Sequence, residues 1–375
     1  MGCVNTISIW TTGGSYRILG HNFRNRQEGV LATYRVVVRQ PASGNPDRIP
    51  GNFDLEMEAL GPLDVELTEV FTDDDDEFLL SAREADAIYV HRARLSRYVI
   101  ENLTKCRLIA TGSVGTDLID LRSATEMGIP VSNVPDTFIE EVADHAMVLI
   151  LSAYRRLTLL DQMSRSGRWS EGRSLLYNYP RLWGMTLGLI SFGHIARAVA
   201  HRAAPFGFRI LAHDPYVGEL SMTRAGVEPV GLVELLQRSD IVSHHAPSTR
   251  ETYHMMGEQQ FRLMKPHSIF INTGRGETVD EGALVKALQE KWIGMAGVDV
   301  LETEPVESDN PLLGMENIII TPHVASASAR MEPERRRRVG REIALVLQGR
   351  WPRACVNPSV LEKSDLVRWK PYSMD

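Results

Sequence analysis

Three residues late in the chain have the types and the settings that acid–base chemistry on a carbonyl acid requires. Arg275 lies in Phe-Ile-Asn-Thr-Gly-Arg-Gly (270–276), Glu304 in Val-Asp-Val-Leu-Glu-Thr-Glu-Pro (298–305) and His323 in Thr-Pro-His (321–323). A guanidinium grips a carboxylate with two parallel hydrogen bonds. A histidine exchanges a proton near neutral pH, and a carboxylate beside it orients the ring and keeps it protonated. Reduction of a 2-keto acid to a 2-hydroxy acid needs these parts, because the alkoxide formed as a hydride arrives must meet a proton and a positive field at one oxygen. Taken singly, Arg275 reads equally well as a surface ion pair and His323 as a turn histidine ahead of a helix. Taken together in these contexts, the chemical reading is preferred.

The hydride source is sought upstream. Residues 186–200 read as strand, tight turn and helix, the setting of the G-x-G-x-x-G dinucleotide fingerprint. Its three positions are held by Ser191, Gly193 and Ala196. Gly193 keeps the central position, where a missing side chain lets a pyrophosphate approach. Ala196 is a mild change at the helix–sheet contact, and Ser191 is the true departure. Asp214 follows the next strand about twenty residues beyond the turn, where an acid accepts from the adenosine ribose hydroxyls. A carboxylate there repels a 2′-phosphate, so NAD is expected over NADP. His194 is placed either at the pyrophosphate or on the surface. The competing reading is a Rossmann-like domain that has lost its cofactor.

The elements that must position these residues follow from the alternation of β-rich runs and helical patterns from about residue 33, which predicts an α/β fold with parallel sheets. Strands are expected at 34–39, 63–70, 87–90, 107–111 and 130–134. A second series is expected at 186–191, 209–213, 241–244, 268–272, 297–300 and 318–320. A helix over 141–156 crosses from the first domain to the second, and its His145 reads as packed or capped rather than catalytic. Asp73–Asp76 reads as a helix start, since carboxylates suit a helix N-terminus; calcium-loop spacing is missing, which disfavours a metal site. The basic run at 334–342 reads as a solvated helix face in preference to a nuclear address.

With 375 residues, 43% hydrophobic and 24% charged, the chain is large enough for two domains of ordinary composition. A net charge of −7 argues against a nucleic-acid or anionic-membrane surface. Cys3, Cys106 and Cys355 are far apart, which favours a reducing, cytoplasmic setting without disulfides or a metal site. Met1–Thr6 matches the myristoylation pattern, with Cys3 available for a second chain, but a disordered leader is the preferred reading. No membrane association is expected unless that end is acylated.

On these residues the chain resembles the D-isomer-specific 2-hydroxyacid dehydrogenase family, which includes phosphoglycerate, glycerate and formate dehydrogenases and the C-terminal-binding-protein corepressors. The resemblance spans roughly 33–360 and is carried, in family order, by Gly112-Ser-Val-Gly-Thr-Asp117, Gly128–Pro135, the turn at 188–196, Asp214-Pro-Tyr216, His245-Ala-Pro247, Asn272-Thr-Gly-Arg275, Asp299–Pro305 and Thr321-Pro-His323. Phe206-Gly-Phe208 and Val356–Leu361 are most similar to the corepressor-like branch, from which the small residues Val324–Ser328 after His323 depart.

The resemblance implies two Rossmann-like or flavodoxin-like parallel-sheet domains with a cleft between them. A discontinuous substrate domain (33–137 plus 325–375) would enclose a cofactor domain (138–324), behind an N-terminal extension (1–32). It implies that Arg275 holds the keto acid, that His323 is the proton donor paired with Glu304, and that Val114 and Gly115 offer backbone N–H groups to the substrate. NAD or NADH would contact Ser191, Gly193, His194, Ile195, Asp214, His245, Pro247, Thr273 and Asp299, the last through the nicotinamide carboxamide. It also implies a homodimer formed through the cofactor domain, acting on a small 2-keto or 2-hydroxy acid. The alternatives are an NADH-sensing scaffold of the corepressor kind with little turnover, and an inactive paralogue.

Overall fold

The computed structural model describes residues 34–44 and 50–368, so the acylation pattern at Met1–Thr6 and Cys3 lie outside the described residues. The chain divides into two compact units. Phe138–Ser328 forms one, and the segments before and after it form the other.

The flanking unit is built on a sheet of β1 (Tyr34–Gln40), β2 (Val65–Phe71), β3 (Ala87–Val90), β4 (Leu108–Thr111) and β5 (Val131–Ser132). They lie in the order β2-β1-β3-β4-β5, and every pairing is parallel. Val36, Val37 and Val38 are fully buried, and all four residues of β3 and of β4 are buried. Such continuously apolar strands are expected where both faces of a parallel sheet are covered. The acidic run is a helix start: Asp74 caps the helix Asp75–Ala82 by accepting from Glu77 N at 2.8 Å, and Asp75, Asp76 and Glu77 fill its first turn.

The helix Met331–Leu347 returns to this unit, and here the sequence reading needs correction. Apart from exposed Arg341, its arginines are not a solvated face. Arg335 and Arg336 are buried, and Arg336 binds both carboxylate oxygens of the buried Glu56 at 2.6–3.0 Å, while Arg337 pairs with Glu58 at 2.9 Å. The reason is a close helix crossing: a Cβ on Gly340 would lie 2.6 Å from the Glu56 carbonyl oxygen. The helix Asp54–Leu60 therefore brings its carboxylates onto the basic stripe. The apolar positions Val339, Ile343 and Val346 do face the core.

The central unit carries a sheet of β6 (Thr186–Ile190), β7 (Arg209–His213), β8 (Glu228–Pro229), β9 (Ile241–His244), β10 (Ile269–Asn272), β11 (Met295–Val298) and β12 (Ile318–Ile320). The order is β12-β11-β10-β9-β6-β7-β8, again wholly parallel. The chain steps outward from β6 through β7 to β8, then returns to place β9 on the other side of β6, so the order reverses at β6/β9. Ligands of doubly wound sheets bind at the carboxyl ends of the strands around such a reversal. The two-residue β8 was not anticipated, and β11 ends two residues before the predicted strand because Asp299 folds onto the loop that follows β12. Gly188 lets the helix Leu232–Arg238 press on β6, since a Cβ there would lie 2.3 Å from Ser239 Oγ and 2.6 Å from Leu235 Cδ2.

Candidate active site

The residues singled out in the central unit all follow carboxyl ends of its strands: Ser191 after β6, Asp214 after β7, His245 after β9, Arg275 after β10, Asp299 and Glu304 after β11, and His323 after β12. Parallel pairing therefore puts residues distant in sequence along one edge.

His323 and Glu304 meet directly, with Nδ1 2.7 Å from Oε2. An ionised carboxylate only accepts, so Nδ1 carries the proton in this bond and Nε2 is the ring atom left to exchange one. Burial alone would raise the Glu304 pKa. The hydrogen bond from His323, the charges of His323 and Arg275 and the Leu301 N–H together outweigh it and hold the carboxyl below its usual range. Glu304 Oε1 takes that Leu301 N–H at 3.0 Å.

Arg275 is extended (φ −140°, ψ 141°), and Nη1 bonds the Gly274 carbonyl at 2.8 Å. Its own carbonyl accepts from Asn272 Nδ2 at 3.1 Å and from Thr278 Oγ1 at 2.5 Å, so the turn is fixed at the peptide that carries the guanidinium. Gly276 is obligatory here: a Cβ would lie 1.8 Å from the Leu301 carbonyl oxygen. The turn bearing Arg275 thus packs directly on the turn bearing Glu304.

His323 itself has a left-handed backbone, φ 51°, a costly conformation for a residue with a Cβ. Asp299 holds it there. The Asp299 carbonyl accepts from His323 N at 2.9 Å, and its carboxylate, 2% exposed, accepts from Thr321 Oγ1 at 2.6 Å, Val324 N at 3.0 Å and Ala325 N at 2.9 Å. Three of roughly four acceptor positions are thereby filled. His145 joins the network through Nε2, 2.9 Å from Thr321 Oγ1. Because that hydroxyl donates to Asp299, His145 is the donor in this pair. It is the packed histidine expected, yet it supports the loop of the catalytic candidate. Thr321 and Thr278 carry hydroxyls whose roles no spacing in the sequence announces.

The cofactor turn is formed as the departure from the fingerprint requires. Ser191 takes φ 68°, the conformation in which the usual glycine is at ease. Gly193 caps the helix His194–Ala203, and a Cβ on it would meet nothing within 4 Å, so the space over the helix start is open to a pyrophosphate. Ala196 is fully buried against the sheet. Asp214 reaches this turn, accepting from Phe192 N and Tyr216 N at 2.8 Å each and from Ser191 Oγ at 3.4 Å. His194 is exposed and Ile195 half-buried on the first turn of the helix. The residues present therefore fit a dinucleotide.

His245 is clasped between Ser243 Oγ (2.9 Å) and Thr273 Oγ1 (3.2 Å), and exposed Pro247 follows two residues on, its carbonyl accepting from Thr252 Oγ1 at 2.6 Å. His244 donates from Nε2 to Thr278 Oγ1 at 2.7 Å, because that hydroxyl is committed to the Arg275 carbonyl. Burial pushes the imidazole pKa of His244 down to about 3, with the His245 charge adding to it, and that of His245 down to about 4. Both are neutral when folded. The stability they contribute is complete above the unfolded pKa of about 6.5 and is lost as pH falls from there toward those depressed values. Each should cost about 2 kcal/mol between pH 7.5 and 5. The urea midpoint is expected to fall over that interval, and about half as much in His244→Gln; an unchanged midpoint would show that the pair protonates freely in the fold.

In the flanking unit, Val114 and Gly115 lie in the turn after β4, at the carboxyl edge of that sheet. The Val114 carbonyl is tied to Asn133 Nδ2 at 2.6 Å and that of Gly115 to Ser113 Oγ at 2.6 Å, which fixes the turn. Gly112 opens it because Arg335 crosses there, with Cδ 2.9 Å from a would-be Cβ.

Comparison with known proteins agrees with this geometry. The family model described as "D-isomer specific 2-hydroxyacid dehydrogenase, NAD binding domain" matches residues 147–325. The chain is 42% identical over 266 residues to a glyoxylate reductase of Korarchaeum cryptofilum, covering 70% of this chain and 80% of that one. Among solved structures it is similar to a glyoxylate reductase from Paecilomyes thermophila (TM-score 0.75, 26% identity, covering 87% of this chain and 99% of that one). It is also similar to an NADPH-dependent glyoxylate/hydroxypyruvate reductase from Sinorhizobium meliloti in complex with NADP and malonate (TM-score 0.73, 31% identity, covering 86% and 96%). A paired histidine and carboxylate beside an arginine, at the edge of a sheet with an open dinucleotide turn, thus coincide with homology over most of the chain: it belongs to the D-isomer-specific 2-hydroxyacid dehydrogenase family, nicotinamide-dependent oxidoreductases that interconvert 2-keto and 2-hydroxy acids.

Proposed function

We propose that the protein reduces a small 2-keto acid of the glyoxylate or hydroxypyruvate class to the corresponding 2-hydroxy acid, the D isomer where the product is chiral, with NADH as the reductant. The observation that carries this reading is the 2.7 Å bond between His323 and Glu304, on a carboxylate also held down in pKa by Arg275. A bound reduced nicotinamide supplies the hydride. Arg275 clamps the substrate carboxylate and draws charge toward the carbonyl oxygen, and Val114 and Gly115 are the proposed backbone N–H donors for substrate in the flanking unit. His323 gives its Nε2 proton to the forming alkoxide, and ionised Glu304 keeps the ring oriented and protonated until then. The small residues Val324–Ser328 leave room beside His323. The relatives named as glyoxylate reductases support the small-substrate reading.

Asp214 supports NAD over NADP. Ser191, Gly193, His194, Ile195, Asp214, His245, Pro247 and Thr273 would hold the dinucleotide, and Asp299 would accept from its carboxamide. In this reading 138–324 is the cofactor domain, 33–137 with 325–375 is the substrate domain, and the protein works as a cytoplasmic homodimer. Asp214→Ala is expected to raise the NADPH-to-NADH ratio of kcat/KM by about tenfold, the value of one charge-assisted contact or repulsion. An unaltered ratio would remove Asp214 from the ribose.

The test of function is NADH oxidation against glyoxylate, hydroxypyruvate, pyruvate and branched-chain and aromatic 2-keto acids. Turnover with the small acids is expected. NADH binding without turnover on any of them would replace the enzyme reading with a dinucleotide-sensing scaffold.

A further inference from the structure

We propose that His254, through its bond to Glu302, is a positioning residue that locks the turn carrying Glu304 against the turn carrying Arg275. The inference rests on the roles given above to Arg275, Glu304 and His323.

A second histidine–carboxylate pair lies beside the first. His254 Nε2 is 2.7 Å from Glu302 Oε1, with side chains 32% and 30% exposed. Glu302 and Glu304 sit on the same turn, two residues apart, and each holds a different histidine. His254 has φ 49°, so the ring is presented from a left-handed backbone, a costly conformation for a residue with a side chain. Among non-glycine residues this conformation favours Asn, Asp and His, and of these only histidine is both long enough and able to donate to a carboxylate at this reach. The Tyr253 ring stacks on the imidazole at 4.0 Å.

The bond joins three segments. His254 N donates to the Glu277 carbonyl at 3.0 Å, and Met256 N to that of Thr278 at 3.1 Å, so the segment around His254 runs along the residues just after Arg275. The His254 side chain then crosses to Glu302. Glu302 is latched from behind by Glu281, which donates its N–H to Glu302 Oε2 at 3.3 Å and accepts from Glu302 N at 3.1 Å, and is itself held by Asn310 Nδ2 at 2.6 Å. The neighbouring Leu301 presses its carbonyl on Gly276 and gives its N–H to Glu304. A turn clasped at Glu302 cannot roll without moving the Leu301 N–H away from Glu304, or the Leu301 carbonyl away from the glycine next to Arg275. The His254 imidazole bonds Glu302 rather than Glu304, so its influence passes through the positions of Glu304 and Arg275.

His254→Asn tests this, because asparagine tolerates the left-handed backbone but is too short to reach Glu302. His254→Gln keeps an amide donor near the position of Nε2. Expected for His254→Asn is a fall in glyoxylate kcat/KM of about tenfold or more, as sub-ångström misplacement of reacting groups produces, expressed in both kcat and KM. A weaker competitive Ki for oxalate and an unchanged NADH Kd should accompany it. His254→Gln should recover most of the loss. Wild-type kcat/KM in His254→Asn, even with a lowered urea midpoint, would overturn the proposal, as would a glutamine variant no better than the asparagine one. His323→Ala is assayed alongside: if it retains turnover, the underlying reading of the site fails, whereas loss there with a fully active His254→Asn sinks this inference alone.

Discussion

Replacing His323 with alanine is expected to lower kcat by roughly a hundredfold to ten-thousandfold, the range ascribed to a positioned general acid. NADH affinity should remain within about twofold, since the ring makes no contact with the dinucleotide turn in the proposed roles. The magnitude follows from the geometry. Nδ1 is engaged with Glu304 at 2.7 Å, so only Nε2 can deliver a proton, and alanine removes both the donor and the partner that holds Glu304 low in pKa. The backbone should tolerate the change, because the three N–H groups of residues 323–325 are gripped by Asp299 independently of the side chain. Single-turnover reduction of glyoxylate with preloaded NADH isolates the chemical step from product release. Unchanged turnover would exclude His323 as the proton donor and return the ring to the status of a turn histidine.

The legibility of this site in the sequence had a physical limit. Strands buried on both faces announce themselves as apolar runs, so β1, β3, β4, β9 and β10 were readable to within a residue or two. β8 was not, because two residues at a sheet edge, one of them Pro229, carry no period. Arg275, Glu304 and His323 were readable because each stands in a local motif, and parallel pairing of β10, β11 and β12 brings such motifs to one edge. The supports were not. His254 and Glu302 are 48 residues apart and meet only because one loop runs beside the Arg275 turn. Thr321 and Asp299 look like strand-end residues until the left-handed turn at His323 directs three donors onto one carboxylate. The basic stripe was misread for a related reason: charge in a helix implies solvent only when no acid is waiting opposite, and Glu56 and Glu58 come from a helix about 280 residues earlier. The Ser191 departure could be seen in the sequence, but not that the turn keeps its left-handed backbone in spite of it.

Arg275→Lys is the second large effect expected, and it separates charge from shape. Lysine preserves the positive charge but replaces a planar fork by a point donor, so one of two hydrogen bonds to the substrate carboxylate is lost. A hydrogen bond to a charged group is worth about 1.5–3 kcal/mol, which predicts a fall in kcat/KM of roughly ten- to a hundredfold. The loss should appear more in KM than in kcat if the guanidinium serves chiefly to bind the carboxylate, and equally in both if it also draws charge at the carbonyl oxygen in the transition state. The turn offers lysine little help, because the Arg275 carbonyl is pinned by Asn272 and Thr278 and the next residue is a glycine jammed against Leu301. The peptide cannot shift to bring a shorter, differently shaped head group into register. The same substitution should raise the oxalate Ki in proportion to KM, while the NADH Kd stays constant. Wild-type kinetics in the lysine variant would mean that the bidentate clamp is wrong and that the keto acid is held from elsewhere, with the Arg275 charge acting only on Glu304.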